Sequence, residues 1–417
     1  MSLIGALNTS SLAMLAQSQG MQTVSTNIAN VNTTAYKRED TLFQTLLYAQ
    51  RGNTVASERV AVKPVDRREV MGQGFILATG RADDLAVNGN GFFMVSSSFE
   101  QNGKTETMFT RDGSLTQKYV DMGDGTQQSF YLAGSGQYLL GWKANDDGTF
   151  TTSPAGAGLV PVRSNSLDEI DGTATTEALL AGNVDAGTQI GSSVSLQGTV
   201  YDQSWTARSL NYGWTKTGSN NWNLDFQVSG GTVDTPVAGG TPIVFNGNGQ
   251  LQSPAGPVSI GVTWDDGTNG TINIDLSEMQ QYADATQVRR TTQNGNEAGR
   301  LYDESFDSNG VLWGSYTNGR NRPLYKLGMA NFVAPNSLEA VSGNLFRATQ
   351  EAGKMTVKDL ENEGDGTSIE VGSLESSNVD MADEFTKMMI VQKAYSMAST
   401  NFRTVDEMME LTATLKR

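Results

Sequence analysis

The sequence predicts a mainly β protein with long terminal α-helices. The N- and C-terminal helices form a coiled-coil-like stalk, followed by an inner β-domain and an outer β-domain inserted into it. Three observations predict this. Apolar residues recur at helical spacing at both ends: Leu7, Met14, Met21 and Ile28 every seven residues, with Val24 and Val31 on the interleaved row, and then Met388, Val391, Tyr395, Ala398, Phe402, Val405 and Met409. Spacings of three and four put each set on one helix face, the seam of helices that coil together. Between the ends, two-residue alternation and Gly-rich turn signals dominate. Finally, residues 146–284 hold three basic residues, Arg163, Arg208 and Lys216, against fifteen Asp and Glu. That composition marks off a separate, solvated, acidic segment.

The first helix is expected from Ser2 to Ala29, its stripe interrupted by Ser10 and Gln17. An Asn/Thr cluster from Asn27 to Thr34 then competes for backbone hydrogen bonds and favours a helix stop. The helical domain thus comprises residues 1–36 and 371–417. The stripes could close on each other as one intramolecular hairpin. Both segments also carry apolar residues off the seam, Leu12, Leu15, Phe385, Met389, Met408, Leu411 and Leu415. Long helices depend on tertiary packing, and more than one face to bury suggests partners from other subunits.

Residues 37–70 and 361–370 show no sustained period and read as connectors. The inner β-domain takes residues 71–145 and 285–360. Within it, Asp84 to Val95 places two apolar runs around Asn88-Gly89, a hairpin signal. Phe109-Thr110-Arg111-Asp112-Gly113 and Tyr138-Leu139-Leu140-Gly141-Trp142 continue the β-pattern. In the outer domain, Trp222, Leu224, Phe226 and Val228 alternate with polar residues, as one half-buried strand should. Ile260-Val262-Trp264 and Ile272-Ile274-Leu276 flank Asp265 to Gly270 as a second hairpin.

Composition excludes several kinds of chemistry. The chain of 417 residues contains neither Cys nor His. Disulfides, thiolate metal sites and the commonest general base are therefore absent. A net charge of −16 argues against nucleic acid and anionic membrane. No run of 18 apolar residues predicts membrane insertion, and the N-terminus lacks the basic and apolar regions of a cleaved secretory signal.

Candidate active-site motifs fail on spacing. Gly103-Lys104-Thr105 would need a glycine at Ser98 to form a phosphate loop. Gly134-Ser135-Gly136 is followed by glycine at 141 rather than 139, which breaks the dinucleotide fingerprint. Asp265/Asp266 and Asp307/Asn309 lack the ligand series of a calcium loop and read as turns. Trp205, Trp214, Trp222 and Trp264 could form a sugar platform but fit better as core. No catalytic, cofactor or metal residues are assigned, and the chain is not expected to be an enzyme.

Asn27-Ile28-Ala29-Asn30 with Thr34-Ala35-Tyr36-Lys37 resembles the N-terminal signature of the axial proteins of the bacterial flagellum, the family of rod, hook and hook-associated subunits. The family pattern ends Gly-Phe-Lys. Ala35 stands in place of that glycine, which removes the usual support for a positive-φ turn there. Leu374 to Asp380, with Ser377, Asn378 and Val379, and Gln392-Lys393-Ala394-Tyr395 resemble the family's C-terminal end. The inserted acidic domain favours hook over the shorter rod subunits.

The resemblance implies a structural subunit, exported through the flagellar type III apparatus, that polymerises with copies of itself into a hollow tube joining rod to filament. The seam residues above would then pack in an inner helical layer. Implied partners are the distal rod subunit, the hook cap and the hook–filament junction proteins, and the implied place is the extracellular hook. A distal rod or junction subunit, and a secreted glycan-binding adhesin, stand as alternatives.

Overall fold

The computed structural model describes residues 3–48, 59–99, 106–122, 127–164, 169–234, 240–358, 360 and 367–415. Gly103-Lys104-Thr105, part of each connector and the side chain of Leu415 lie outside them. The chain divides into two units, Met1–Asn165 with Glu304–Gly314 and Arg322–Arg417, and Ser166–Asp303 with Ser315–Asn321.

The first unit begins with helix α1, Leu3–Ala29, and ends with helix α2, Met381–Leu415. α1 stops in the predicted Asn/Thr cluster, where Asn30 Nδ2 donates to Thr26 O at 2.9 Å. α2 starts at Asp380, whose carboxylate accepts the backbone N–H groups of Ala382 at 2.8 Å and Asp383 at 3.2 Å. This is an N-cap, filling donors the helix leaves orphaned. The two helices pack together, and α1 also packs on a hairpin of β1, Glu39–Tyr48, and β2, Arg59–Arg68.

Most of the predicted connector 37–70 is this hairpin, running in register from Glu39 opposite Arg68 to Tyr48 opposite Arg59. Helix and hairpin are tied through polar groups, which hid the period: Thr23 Oγ1 lies 2.8 Å from Thr41 Oγ1, and Gln19 Nε2 donates to Asp66 at 2.8 Å. The stretch 371–380, taken with the helical domain from sequence, is strand Ser373–Glu375 and its lead into the cap.

Around strand Phe92–Ser96 an antiparallel sheet is built from Thr107–Thr110, Tyr138–Lys143 and Met329–Asn331. Phe92, Phe109, Phe332 and Phe346 meet edge to face in its core, with ring centroids 4.9–6.2 Å apart. The expected Asp84–Val95 hairpin does not form. Leu85–Asn88 pairs with Ser368–Val371 instead, and Gly89 and Gly91, at φ +99° and +139°, turn the chain from one sheet into another. The reason lies in the apolar runs themselves. Leu85, Ala86 and Val87 are all buried, as are Phe92 to Ser96. Strands buried on both faces can take neighbours from anywhere in the chain, so the apolar runs did not specify each other as partners.

Residues 146–164 also belong to the first unit, contrary to the outer-domain boundary expected at 146. Leu159–Pro161 pairs with Tyr138–Lys143 and Arg163–Ser164 with Gln127–Leu132.

Two sheets build most of the second unit. Ser193–Tyr201, Ala207–Lys216, Asn221–Val228, Thr241–Phe245 and Leu251–Ser253 form one in that order. In the other, Glu177–Asp185 is flanked by Asn269–Asp275, Met279–Tyr282 and Gln287–Gln293. The last of these strands moves the expected boundary at 284 outward and brings Arg289 and Arg290 into the unit.

Inward residues of both sheets form a single core. Trp222, Leu224 and Phe226 enter it by the predicted alternation, and Val258–Trp264 pairs with Asn269–Asp275 as the predicted hairpin. Trp214, Trp222 and Trp264 are buried there and present no sugar platform, whereas Trp205, also expected in the core, is half-buried outside it. Among the described residues no helix is long and apolar enough to cross a membrane, and no cluster of three or more acidic side chains is placed to hold a metal.

Candidate functional site: the helix pair and the buried junction at its base

The seam residues divide by burial. Val24 and Ala398 are buried, while Leu7, Met14, Met21, Ile28, Val31, Met388, Val391, Phe402, Val405 and Met409 are half-buried; Tyr395 stays 41 % exposed. α2 packs on α1, so its stripe faces the partner helix within the same chain. Gly20 marks a close approach: a Cβ there would meet Phe43 at 3.6 Å and Val391 at 3.7 Å. A second apolar row points outward, with Ile4 and Leu15 on α1 and Phe385, Met389, Ile390, Met397, Met408 and Leu411 on α2 all 48–64 % exposed.

At the base of the pair, the two signature segments meet. Asn27 is fully buried and uses all four of its hydrogen-bonding positions. Its Nδ2 donates to Glu39 O at 2.8 Å and Glu384 Oε2 at 3.1 Å; its Oδ1 accepts Tyr36 Oη–H at 3.1 Å and Glu39 N–H at 3.0 Å. Asn378, half-buried, ties down the C-terminal segment with three hydrogen bonds. It accepts Arg38 N–H at 2.7 Å and donates to Gly72 O at 3.0 Å and Glu69 O at 3.2 Å. Ser377 is buried, and its Oγ accepts Val379 N–H at 3.3 Å.

Ala35 takes φ +55° despite lacking the glycine, and its N–H donates to Glu375 O at 2.8 Å. The turn whose support the sequence removed is therefore present. Packing holds an alanine in a conformation that costs it about 1–2 kcal/mol.

The next turn of chain carries Lys37 inside. Its Nζ donates to Glu375 Oε1 at 2.6 Å and Gly72 O at 2.7 Å. Arg111 Nη1 stands 3.5 Å from Glu375 Oε2, and its Nη2 donates to Gly89 O at 2.8 Å. Two buried cations thus share one buried carboxylate. Burial pushes Lys37 below the ordinary lysine range, and Arg111 beside it adds to the push. Burial lowers Arg111 as well.

A more solvated layer surrounds this core. Arg38 bonds Glu69 at 2.6 Å, and Lys387 reaches Asp40, Asp383 and Glu384 at 3.0 Å each. Partial burial pulls Lys387 down, but the three carboxylates outweigh it and hold its pKa above the usual lysine value.

Of the signature residues, Asn27, Lys37, Ser377, Asn378 and Val379 enter the junction. Asn30 caps the turn beside it. Ile28 is half-buried, and Ala29 and Gln392 face outward. Sequence reasoning missed Glu375, Arg111 and Glu384. Each lay in or near a quoted motif, yet an isolated charge in a strand or helix carries no period to show what it pairs with. Chemically, the junction holds: its carboxylates are engaged by cations and amides.

The profile described as "Flagellar basal body rod FlgEFG protein C-terminal" matches residues 370–415, and "Flagellar basal body protein FlaE D2 domain" matches 166–296. The flagellar hook protein FlgE of Rhizobium meliloti (strain 1021) is 32 % identical over 427 residues, covering 100 % of both chains. The chain belongs to the flagellar hook protein family.

Hook proteins of Brucella suis, at 30 % identity over 100 % of both chains, and Salmonella typhimurium, at 27 % over 96 % of this chain and 97 % of the relative, are also similar. A solved Helicobacter pylori flagellar hook protein, FlgE2, aligns with TM-score 0.49 and 12 % identity, over 72 % of this chain and 100 % of that one. As a hook protein the chain is a structural subunit of the flagellum. The two matched regions fall on the second unit and on the segment from the end of strand Ser368–Val371 through α2.

Proposed function

We propose that this hook protein polymerises head to tail into the hollow, flexible tube that carries torque from rod to filament, with no catalytic role. Head-to-tail contacts that do not close give an open helix. The observation that carries the reading is the outward apolar row on α1 and α2. Monomeric proteins rarely leave such a strip in water, and here it lies on helices whose other face is already packed. Neighbouring subunits would cover it, with partly exposed seam residues such as Tyr395 at its margin. The subunit would leave the cell through the flagellar type III apparatus without a cleaved signal. The distal rod subunit, hook cap and hook–filament junction proteins would be its partners along the way. The absence of Cys suits a chain that travels unfolded.

Sedimentation of purified protein at rising concentration tests the reading. Wild type pellets as tubes visible by electron microscopy, while Ile390→Asp, which must desolvate a charge in the packed layer, stays in the supernatant with an unchanged melt. Equal pelleting of both proteins would refute it.

A further inference from the structure

Among the described residues, strand Ile76–Ala78 pairs only with Ser373–Glu375, in a two-stranded sheet. Sheets that small are marginal without a covering layer. Here the cover is missing on one side: Phe75 is 82 % exposed and Leu77 59 %. The patch sits at the foot of α2, since Ser376 N–H donates to Phe75 O at 2.8 Å, four residues before the Asp380 cap. It therefore adjoins the helix pair whose outward row the polymer reading places in subunit contacts.

What could cover it follows from charge. A head-to-tail contact joins two different surfaces, so the patch meets something other than itself. A charged face laid on Phe75 would lose its water without compensation. The outward row of α2 is interleaved with Lys393, Arg403 and Glu407. α1 has no charged side chain anywhere in Leu3–Ala29. It exposes Ile4 at 60 % and Leu15 at 64 %, eleven residues apart and so on one face, with Leu12 beside them at 38 %. Its other faces are taken by α2 and the hairpin of its own chain.

We propose that the Phe75/Leu77 patch is the seat for the N-terminal half of α1 from a second copy of this chain. This rests on the polymer reading. Contact between a neutral helix face and a neutral patch repeats along a tube without accumulating like charges, which α2 could not offer.

The chain has no Cys, so introduced thiols are unique. Phe75→Cys and Leu15→Cys proteins are mixed in equal amounts, polymerised and treated with a short bis-maleimide. The expected result is a crosslinked dimer joining positions 75 and 15 by peptide mass, at least tenfold more abundant in tubes than in the same mixture held monomeric. The thiol at 75 should also react with a maleimide polymer at least tenfold more slowly in tubes than in monomer. A thiol at 75 that reacts at the monomer rate in tubes overturns the seat. So does one that is protected but joins another thiol at 75 and none at 15. Should Phe75→Cys melt like wild type yet fail to polymerise, a Phe75→Leu protein that restores tubes supports it. Wild type that forms no tubes at all removes the polymer reading and the seat together, whereas tubes with a bare patch remove the seat alone.

Discussion

Lys37 Nζ and Glu375 Oε1 lie 2.6 Å apart, both side chains fully withdrawn from water, joining positions 338 residues apart in sequence. The pair fastens the chain that leaves α1 to the strand that leads into α2. Because Arg111 is also buried against Glu375, the cluster carries one cation in excess. The cost of breaking it therefore depends on which charge is removed.

Glu375→Gln leaves Lys37 and Arg111 facing each other without an anion and should destabilise the first unit by about 3–5 kcal/mol. Lys37→Met leaves a balanced Arg111–Glu375 pair and should cost clearly less. Urea melts of the two variants decide; equal losses would show that charge balance does not govern the site.

Asn27→Ala removes four hydrogen bonds, and Glu39 N–H and O lose their partner inside the protein. A loss of about 2–4 kcal/mol is expected. Asn27→Asp should be worse although it is isosteric, since it replaces two donors by a charge beside Glu384. A milder effect of Asp than of Ala would contradict the donor assignment of Asn27.

At Ala35, with φ +55° and almost no exposure, Ala35→Gly should be neutral or stabilising by up to about 1 kcal/mol. Ala35→Val should lose more than about 2 kcal/mol, because a β-branched residue fits neither the dihedral nor the space. Thermal melts that rank valine with glycine would deny the turn.

The second unit should weaken in alkali through Tyr212. Burial raises its phenol from 10.0 to about 12. Below pH 10 the group is protonated in both states. Above it the unfolded chain ionises while the folded chain keeps its proton, so stability present below pH 10 is lost as pH rises to about 12. The loss is on the order of 2–3 kcal/mol. In Tyr212→Phe the melt should flatten across that window; an unchanged slope would clear Tyr212 of the effect.

Residues 166–303 expressed alone should melt cooperatively, whereas 146–284 should not. The second fragment omits Gln287–Gln293, which pairs along Ala178–Asn183, and leaves that edge open. Calorimetry of the two fragments checks it.

The sequence by itself determined what is local. Seven-residue stripes located α1 to within a few residues and placed α2 at the C-terminal end, with its start ten residues later than the expected 371. Alternation put Trp222, Leu224 and Phe226 inside, Asp265 to Gly270 marked a true hairpin, and the terminal signatures pointed to the family. Only the tertiary structure decided the partner of Leu85–Asn88, the strand Gln287–Gln293 that moved the domain boundary, and the Lys37–Glu375–Arg111 cluster. Periodicity records which face of an element is buried. It does not record against what. A strand apolar on both faces, or a single charge in an apolar setting, fits many neighbours equally well. The one chosen is set by packing of segments hundreds of residues apart, and the same packing holds Ala35 in a conformation its own residue type disfavours.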